Sequence, residues 1–116
     1  MLGSQVAISA GILSHTDEVE IGSNTLIGSR VTIIDHDHGD YGFNKNLDEI
    51  PEKRQLNAEK IRIGNNCWIG EGAVILKGVK ISDGCVVGAN TVVTKSFLSP
   101  VVIAGVPGKV IKKLDY

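Results

Sequence analysis

His36 and His38 alternate with Asp35 and Asp37 in the stretch "IIDHDHGD", residues 33 to 40. Residues of these types can do two kinds of chemistry. A neutral imidazole within hydrogen-bond reach of a hydroxyl can take its proton as the oxygen attacks. Imidazoles and carboxylates also ligate metals. In an extended segment, residues two apart face the same side, so both histidines can serve one site. The neighbouring aspartates then orient an imidazole or a bound acceptor, or they form a solvated turn pair. A polar surface loop would carry the same residues, and this stretch alone does not separate the three readings.

The segments on either side must position these groups, and they keep a strict rhythm. Read in sixes, the chain runs "IGSNTL" from 21, "IGSRVT" from 27 and "IIDHDH" from 33. It resumes with "IGNNCW" at 63, "IGEGAV", "ILKGVK", "ISDGCV", "VGANTV" and "VTKSFL" at 93. The first place is always Ile or Val, and the second is often Gly. The fifth is mostly small or β-branched: Thr25, Val31, Cys67, Ala73, Val79, Cys85 and Thr91, with Asp37 and Phe97 as exceptions. A helix cannot hold residues six apart on one face. Short strands joined by tight turns can, with β-branched residues in the strands and Gly, Asn or Asp in turns that need positive φ. Three such sides close a triangular coil of eighteen residues. Stacked coils would bury a column of first-place Ile and fifth-place small residues. Cys67 and Cys85, both in fifth place and eighteen apart, are expected to stack inward as reduced core thiols.

The rhythm breaks twice. Val6 and Ile12 keep a step of six, but Ile12 to Ile21 is nine, so "SHTDEVE" is expected to bulge from a corner. The second break, about 39 to 60, is polar, charged and carries Pro51. It reads as a functional loop thrust out of the coil.

Composition bounds the rest. The 116 residues make one domain, 1–116, with the stretch from about 99 to 116 as a C-terminal extension. Only 4% are aromatic, so the core must be narrow and lined by mid-sized aliphatics, as in a repeat architecture. A net charge of -1 without like-charge blocks argues against a nucleic-acid partner. No apolar run approaches the roughly 18 residues of a membrane span, and the N-terminus lacks a secretory pattern. The expectation is a cytoplasmic protein.

These hexads, with "IGNNCWIGEGAVILKGVKI", "VGANTVVTK" and "IAGVPGKVIKK", resemble the hexapeptide-repeat acyltransferases, in particular their sugar O-acetyltransferase branch. The resemblance covers nearly the whole chain. It implies an all-β fold, a left-handed parallel β-helix, and a homotrimer with active sites between subunits. It also implies an enzyme that transfers acetyl from acetyl-CoA to a hydroxyl of a sugar or related small acceptor, with no metal. The family's catalytic histidine closes a six just before an extruded loop, which is the place of His38; His36 is the alternative. Trp68 matches a Trp beside the catalytic site. Gly70 and Ala89 match small positions along the pantetheine arm, or are plain turn requirements. Thr94 and Lys95 match positions near the adenosine and phosphates, and Lys109 and Lys112 match terminal basic residues suited to CoA phosphate. For each lysine a solvated side chain is the plain alternative.

Two departures and two rivals stand beside this. "QVAISAGI" lacks the acceptor-binding Asn of galactoside-type relatives, and the chain enters its repeats almost at once. A non-catalytic trimeric scaffold would share the fold, and CoA binding discriminates it. A carbonic anhydrase-like zinc site would use His15, His36 and His38, but that class needs two histidines five apart on one subunit and lacks "GVPGKVIKK".

Overall fold

Six-residue spacing leaves room for strands of only a few residues between sharp corners. The computed structural model describes residues 7–8, 12–14, 18–37, 50 and 57–116. In chain order its strands are β1 (Ala7–Ile8), β2 (Ile12–Ser14), β3 (Val19–Ile21), β4 (Leu26–Ile27), β5 (Thr32–Ile34), β6 (His36–Asp37), β7 (Asn57–Ala58) and β8 (Ile61–Ile63). They continue as β9 (Trp68–Ile69), β10 (Val74–Ile75), β11 (Lys80–Ile81), β12 (Val86–Val87), β13 (Val92–Val93), β14 (Val101–Ala104) and β15 (Lys109–Lys113). The described residues contain no helix, so the fold is all-β.

Successive strands visit three parallel sheets in turn. The first orders β1-β4-β9-β12-β14, the second β2-β5-β10-β13 and the third β3-β8-β11, with Phe97 bridged to Ile81 at the end of the third. Cα partners Ile63↔Ile81, Ile69↔Val87 and Ile75↔Val93 lie one eighteen-residue circuit apart. The expected column is present. Ile21, Ile27, Ile33, Ile63, Ile69, Ile75, Ile81, Val87 and Val93 are buried, as are all seven fifth-place residues from Thr25 to Thr91. A narrow column admits a hydroxyl if the backbone receives it. Thr25 Oγ1 donates to the Gly64 carbonyl at 2.8 Å and accepts the Cys67 N–H at 3.2 Å. Cys67 and Cys85 are buried and unbridged, and each thiol lies against a backbone carbonyl, Ser82 at 3.2 Å and Ser99 at 3.3 Å. Burial pushes the Cys67 thiol up to about 11 and raises Cys85 too.

The glycines divide into two roles. Positive φ falls on the fourth place: Asn24, Arg30, Asn66, Gly72, Gly78, Gly84 and Asn90. The second-place glycine answers to close approach instead. A Cβ on Gly64 would stand 2.6 Å from the Asp83 backbone nitrogen, so a side chain there would force the circuits apart.

The N-terminal register differs from the expected one. Ile8 pairs with Ile27 and Leu13 with Ile33, so Ile8 and Leu13, five apart, occupy the first places rather than Val6 and Ile12. Val6 and residues 15–17 of "SHTDEVE" lie outside the described residues. Across the second break, partners Ile21↔Ile63, Ile27↔Ile69 and Ile33↔Ile75 are forty-two positions apart. The break's base is an antiparallel pair, His36↔Ala58 and Asp37↔Asn57; residues 38–49 and 51–56 are not described. At the other end β14 still belongs to the first parallel sheet, and only β15 reverses, pairing antiparallel along it.

Candidate active site

The outer faces of the sheets differ in chemistry. The third carries the row Glu20, Arg62, Lys80. Lys60 bridges Glu18 and Glu20 there at 3.3 Å each, and its hydrogen bond holds the Glu20 carboxyl below the ordinary carboxylate range. The first sheet carries an apolar row instead: Leu26, Trp68, Val86 and Val102 follow one another across the strands. Trp68 is 55% exposed, so it is no core aromatic.

The corner between the second and third sheets holds His36, the catalytic candidate among the described residues. Asp35 follows β5 and is fully buried. Its Oδ1 lies 3.1 Å from His36 Nδ1, and its carbonyl accepts the Glu59 N–H at 2.8 Å. Glu59 marks where the chain returns from the break, so this bond ties both ends of the break together. One circuit on, at the same corner, Lys77 reaches back to Asp37, Nζ to Oδ2 at 3.1 Å. The solvated-pair reading of the aspartates therefore gives way: one is buried against an imidazole and the other is ion-paired. Spacing could not reveal Lys77, because its partner lies forty positions earlier. His38 lies outside the described residues, as does His15.

The remaining candidates fall into three groups. Thr94 and Lys95 are exposed and follow β13 as Asp35 follows β5, so they share the histidine corner two circuits on. The Lys95 ammonium sits 5.6 Å from the centre of the Phe97 ring. Gly70 and Ala89 meet at the corner between the first and second sheets. A Cβ on Gly70 would come within 2.8 Å of the Val87 carbonyl and the Ala89 nitrogen, so packing of one circuit on the next is reason enough for this glycine. Ala89 is exposed. Lys109 and Lys112 are exposed on β15; Lys112 stands opposite Val102, at the end of the Trp68 row.

A circuit of three sides puts the histidine corner opposite the first sheet. Trp68 and His36 therefore lie on opposite sides of one chain. The structure brings Trp68 and Lys112 onto one face, and His36, Lys77 and Lys95 onto one corner, without joining the two sets.

Comparison with known proteins agrees with this architecture. Residues 60–95 match the family model described as bacterial transferase hexapeptide (six repeats). The chain is 40% identical over 107 residues to WbbJ of Escherichia coli (strain K12), a protein named for lipopolysaccharide biosynthesis O-acetyl transfer, covering 90% of this chain and 55% of that one. It is 39% identical over 97 residues to galactoside O-acetyltransferase of the same strain, covering 84% of this chain and 45% of that one. The chain thus spans about half the length of these relatives. Among solved structures it resembles a hexapeptide-repeat acetyltransferase of Vibrio cholerae complexed with acetyl coenzyme A. That match has a TM-score of 0.82 and 25% identity, over 99% of this chain and 60% of that one. It also resembles galactoside acetyltransferase in complex with coenzyme A, with a TM-score of 0.75 and 30% identity, over 98% of this chain and 64% of that one. With its buried six-residue column and these matches together, the chain belongs to the hexapeptide-repeat transferase family.

Proposed function

We propose that this chain carries out acetyl-CoA-dependent O-acetylation of a hydroxyl on a sugar or related small acceptor. The observation that carries the reading is the histidine corner: a buried carboxylate against a partly buried imidazole where the repeat breaks. It is set in a chain 40% and 39% identical to proteins named for O-acetyl transfer. The three-sheet circuit is read as a left-handed parallel β-helix with residues about 39 to 60 extruded, in keeping with its structural neighbours.

A histidine of the break takes the acceptor's proton as its oxygen attacks the thioester carbonyl. Place in the six gives His38 this role, with His36 as the alternative. Backbone N–H groups are suited to stabilise the developing oxyanion. Trp68, Gly70, Ala89, Thr94, Lys95, Lys109 and Lys112 are assigned to the donor, the lysines to its phosphates. The protein is proposed to work as a homotrimer. The support is geometric: Trp68 and the histidine corner lie on opposite faces, so one site can use both only if two copies contribute. The unbridged core thiols fit a reducing, cytoplasmic setting.

The test is free-thiol release from acetyl-CoA across a panel of sugar acceptors, with CoA affinity measured by calorimetry. Turnover with one acceptor supports the reading. Losing one histidine by substitution to alanine should lower kcat by about 10²–10⁴-fold and leave CoA binding intact. CoA affinity should fall with salt and in a Lys109→Ala, Lys112→Ala double variant. Near-normal turnover in both His36→Ala and His38→Ala would remove the break from the mechanism. No CoA binding at all would leave a scaffold.

A further inference from the structure

Lys77 occupies a place that another corner gives to capping side chains. On the reading of the break as the catalytic segment, we propose that Lys77 is a positioning residue. Its ion pair with Asp37 fixes the chain where it leaves the repeat, immediately ahead of His38, and so sets the rate of acetyl transfer without contacting donor or acceptor.

Lys77 is the third-place residue of "ILKGVK". At the corner entering the first sheet, third-place side chains take backbone N–H groups: Asp83 accepts from Asn65, and Asn65 from Ser23. An ammonium has three donors and no acceptor, so Lys77 cannot cap a neighbouring circuit in that way. Its Nζ lies instead 3.1 Å from Asp37 Oδ2, across forty positions of chain. Side-chain exposure is 28% for Lys77 and 37% for Asp37, so the pair is drawn against the protein rather than extended into solvent.

The next residue meets the other end of the break. Lys77 and Gly78 form one turn. Gly78 is left-handed at φ 75° and donates its N–H to the Glu59 carbonyl at 3.2 Å, and a Cβ there would meet the Glu59 carboxylate. Glu59 in turn donates to the Asp35 carbonyl at 2.8 Å. This one turn therefore touches the chain where it leaves the circuit, at Asp37, and where it returns, at Glu59. The return is held by backbone bonds, which do not depend on side-chain type. The departure is held by a charge pair, which does, so Lys77 is the part of the anchor that a substitution can release. Its effect on the reaction is geometric. A general base must keep hydrogen-bond reach of the hydroxyl as the oxygen attacks, and a displacement of about 1 Å can cost about 10²-fold in rate. Lys77 itself takes no proton and forms no bond in that step.

The test compares Lys77→Met, Lys77→Arg, Asp37→Asn and the Lys77→Met, Asp37→Asn double variant. Each is measured by turnover at saturating acetyl-CoA, by CoA calorimetry and by amide hydrogen exchange without substrate. Lys77→Met should lower kcat by about 10–100-fold and leave CoA affinity within about twofold of the parent. Lys77→Arg should keep most of the rate, since a guanidinium also pairs with a carboxylate. The double variant should lose no more than either single one, the non-additivity expected of partners in contact. Raised salt should slow the parent and leave Lys77→Met unaffected. Without substrate, the Glu59 and Gly78 amides should exchange faster in Lys77→Met, while the Leu26 and Val74 amides, bonded to Cys67 and Thr91, keep their protection. If Lys77→Met does not fold, Asp37→Asn carries the same comparison. Unchanged kcat with unchanged Glu59 exchange overturns the proposal. So do losses in the two single variants that simply add, or a deficit that lies in CoA affinity, which would make Lys77 a donor contact. A parent that transfers acetyl to no acceptor defeats the acetyltransferase reading alone, because the exchange measurement still decides whether Lys77 anchors the break.

Discussion

Cys67 and Cys85 show how a narrow interior sets the chemistry of single side chains. Thiols against a dry aliphatic column resist ionisation, so neither is poised as a nucleophile. Native protein should leave both unreacted toward a thiol reagent at neutral pH, and unfolded protein should expose both. Burial makes the folded state hold the Cys67 proton more tightly than the unfolded chain does. Stability is therefore whole below about pH 9 and declines as pH rises toward 11, on the order of 2 kcal/mol from this thiol. Denaturant midpoints at pH 8 and 10.5 measure the fall; equal midpoints would contradict it. Gly70 tests packing at the same scale. Gly70→Ala should cost about 1–3 kcal/mol by pushing against the Val87 carbonyl and Ala89 nitrogen. Folded Gly70→Ala with unchanged stability would return this glycine to a purely ligand-facing role. At the site, the type of Asp35 was legible in the sequence but its burial was not, because an acid amid polar residues reads as solvated.

Corners as well as strands hold adjacent circuits in step. At the corner entering the first sheet, Asp83 Oδ1 accepts the Asn65 N–H at 2.8 Å, and Asn65 Oδ1 accepts the Ser23 N–H at 2.7 Å. At this corner the third-place side chain thus caps its counterpart one circuit earlier. Asp83→Ala should cost about 1 kcal/mol by stranding the Asn65 N–H, while Asp83→Asn should recover most of it, in parallel urea titrations. Arg30 is the outlier of the fourth place, left-handed at φ 58° where its counterparts are Asn or Gly, and its guanidinium pairs with Glu71. The period, the core column and the inward thiols were legible because Ile or Val opens each of the nine sixes on either side of the break, from Ile21 to Val93. The first circuit was not, because its step shortens to five and two candidate frames are equally aliphatic. The division of labour between second-place and fourth-place glycines was hidden for another reason: close approach and positive φ both select the same residue.

On the scale of the molecule, the stacked circuits present a charged face, a face with an apolar row, and a corner with the imidazole. Sedimentation equilibrium at micromolar concentration should give three times the chain mass; a stable monomer would separate Trp68 from the histidine corner for good. The same circuit geometry carries a kinetic consequence. Strand partners within residues 61–104 close spans of eighteen positions or fewer, whereas the strand partners joining residues 19–34 to the next circuit close forty-two. The longer closure costs only about 0.7 kcal/mol more in chain entropy, but that cost is met before any of its contacts form. Folding should therefore start in the C-terminal circuits and add the earlier ones onto that template. Pulsed hydrogen exchange during refolding should protect the Trp68, Gly70 and Val74 amides, which donate to Cys85, Val87 and Thr91, before those of Leu26 and Thr32, which donate across the break to Cys67 and Ala73. Simultaneous protection would mean that the break is closed before the repeats assemble.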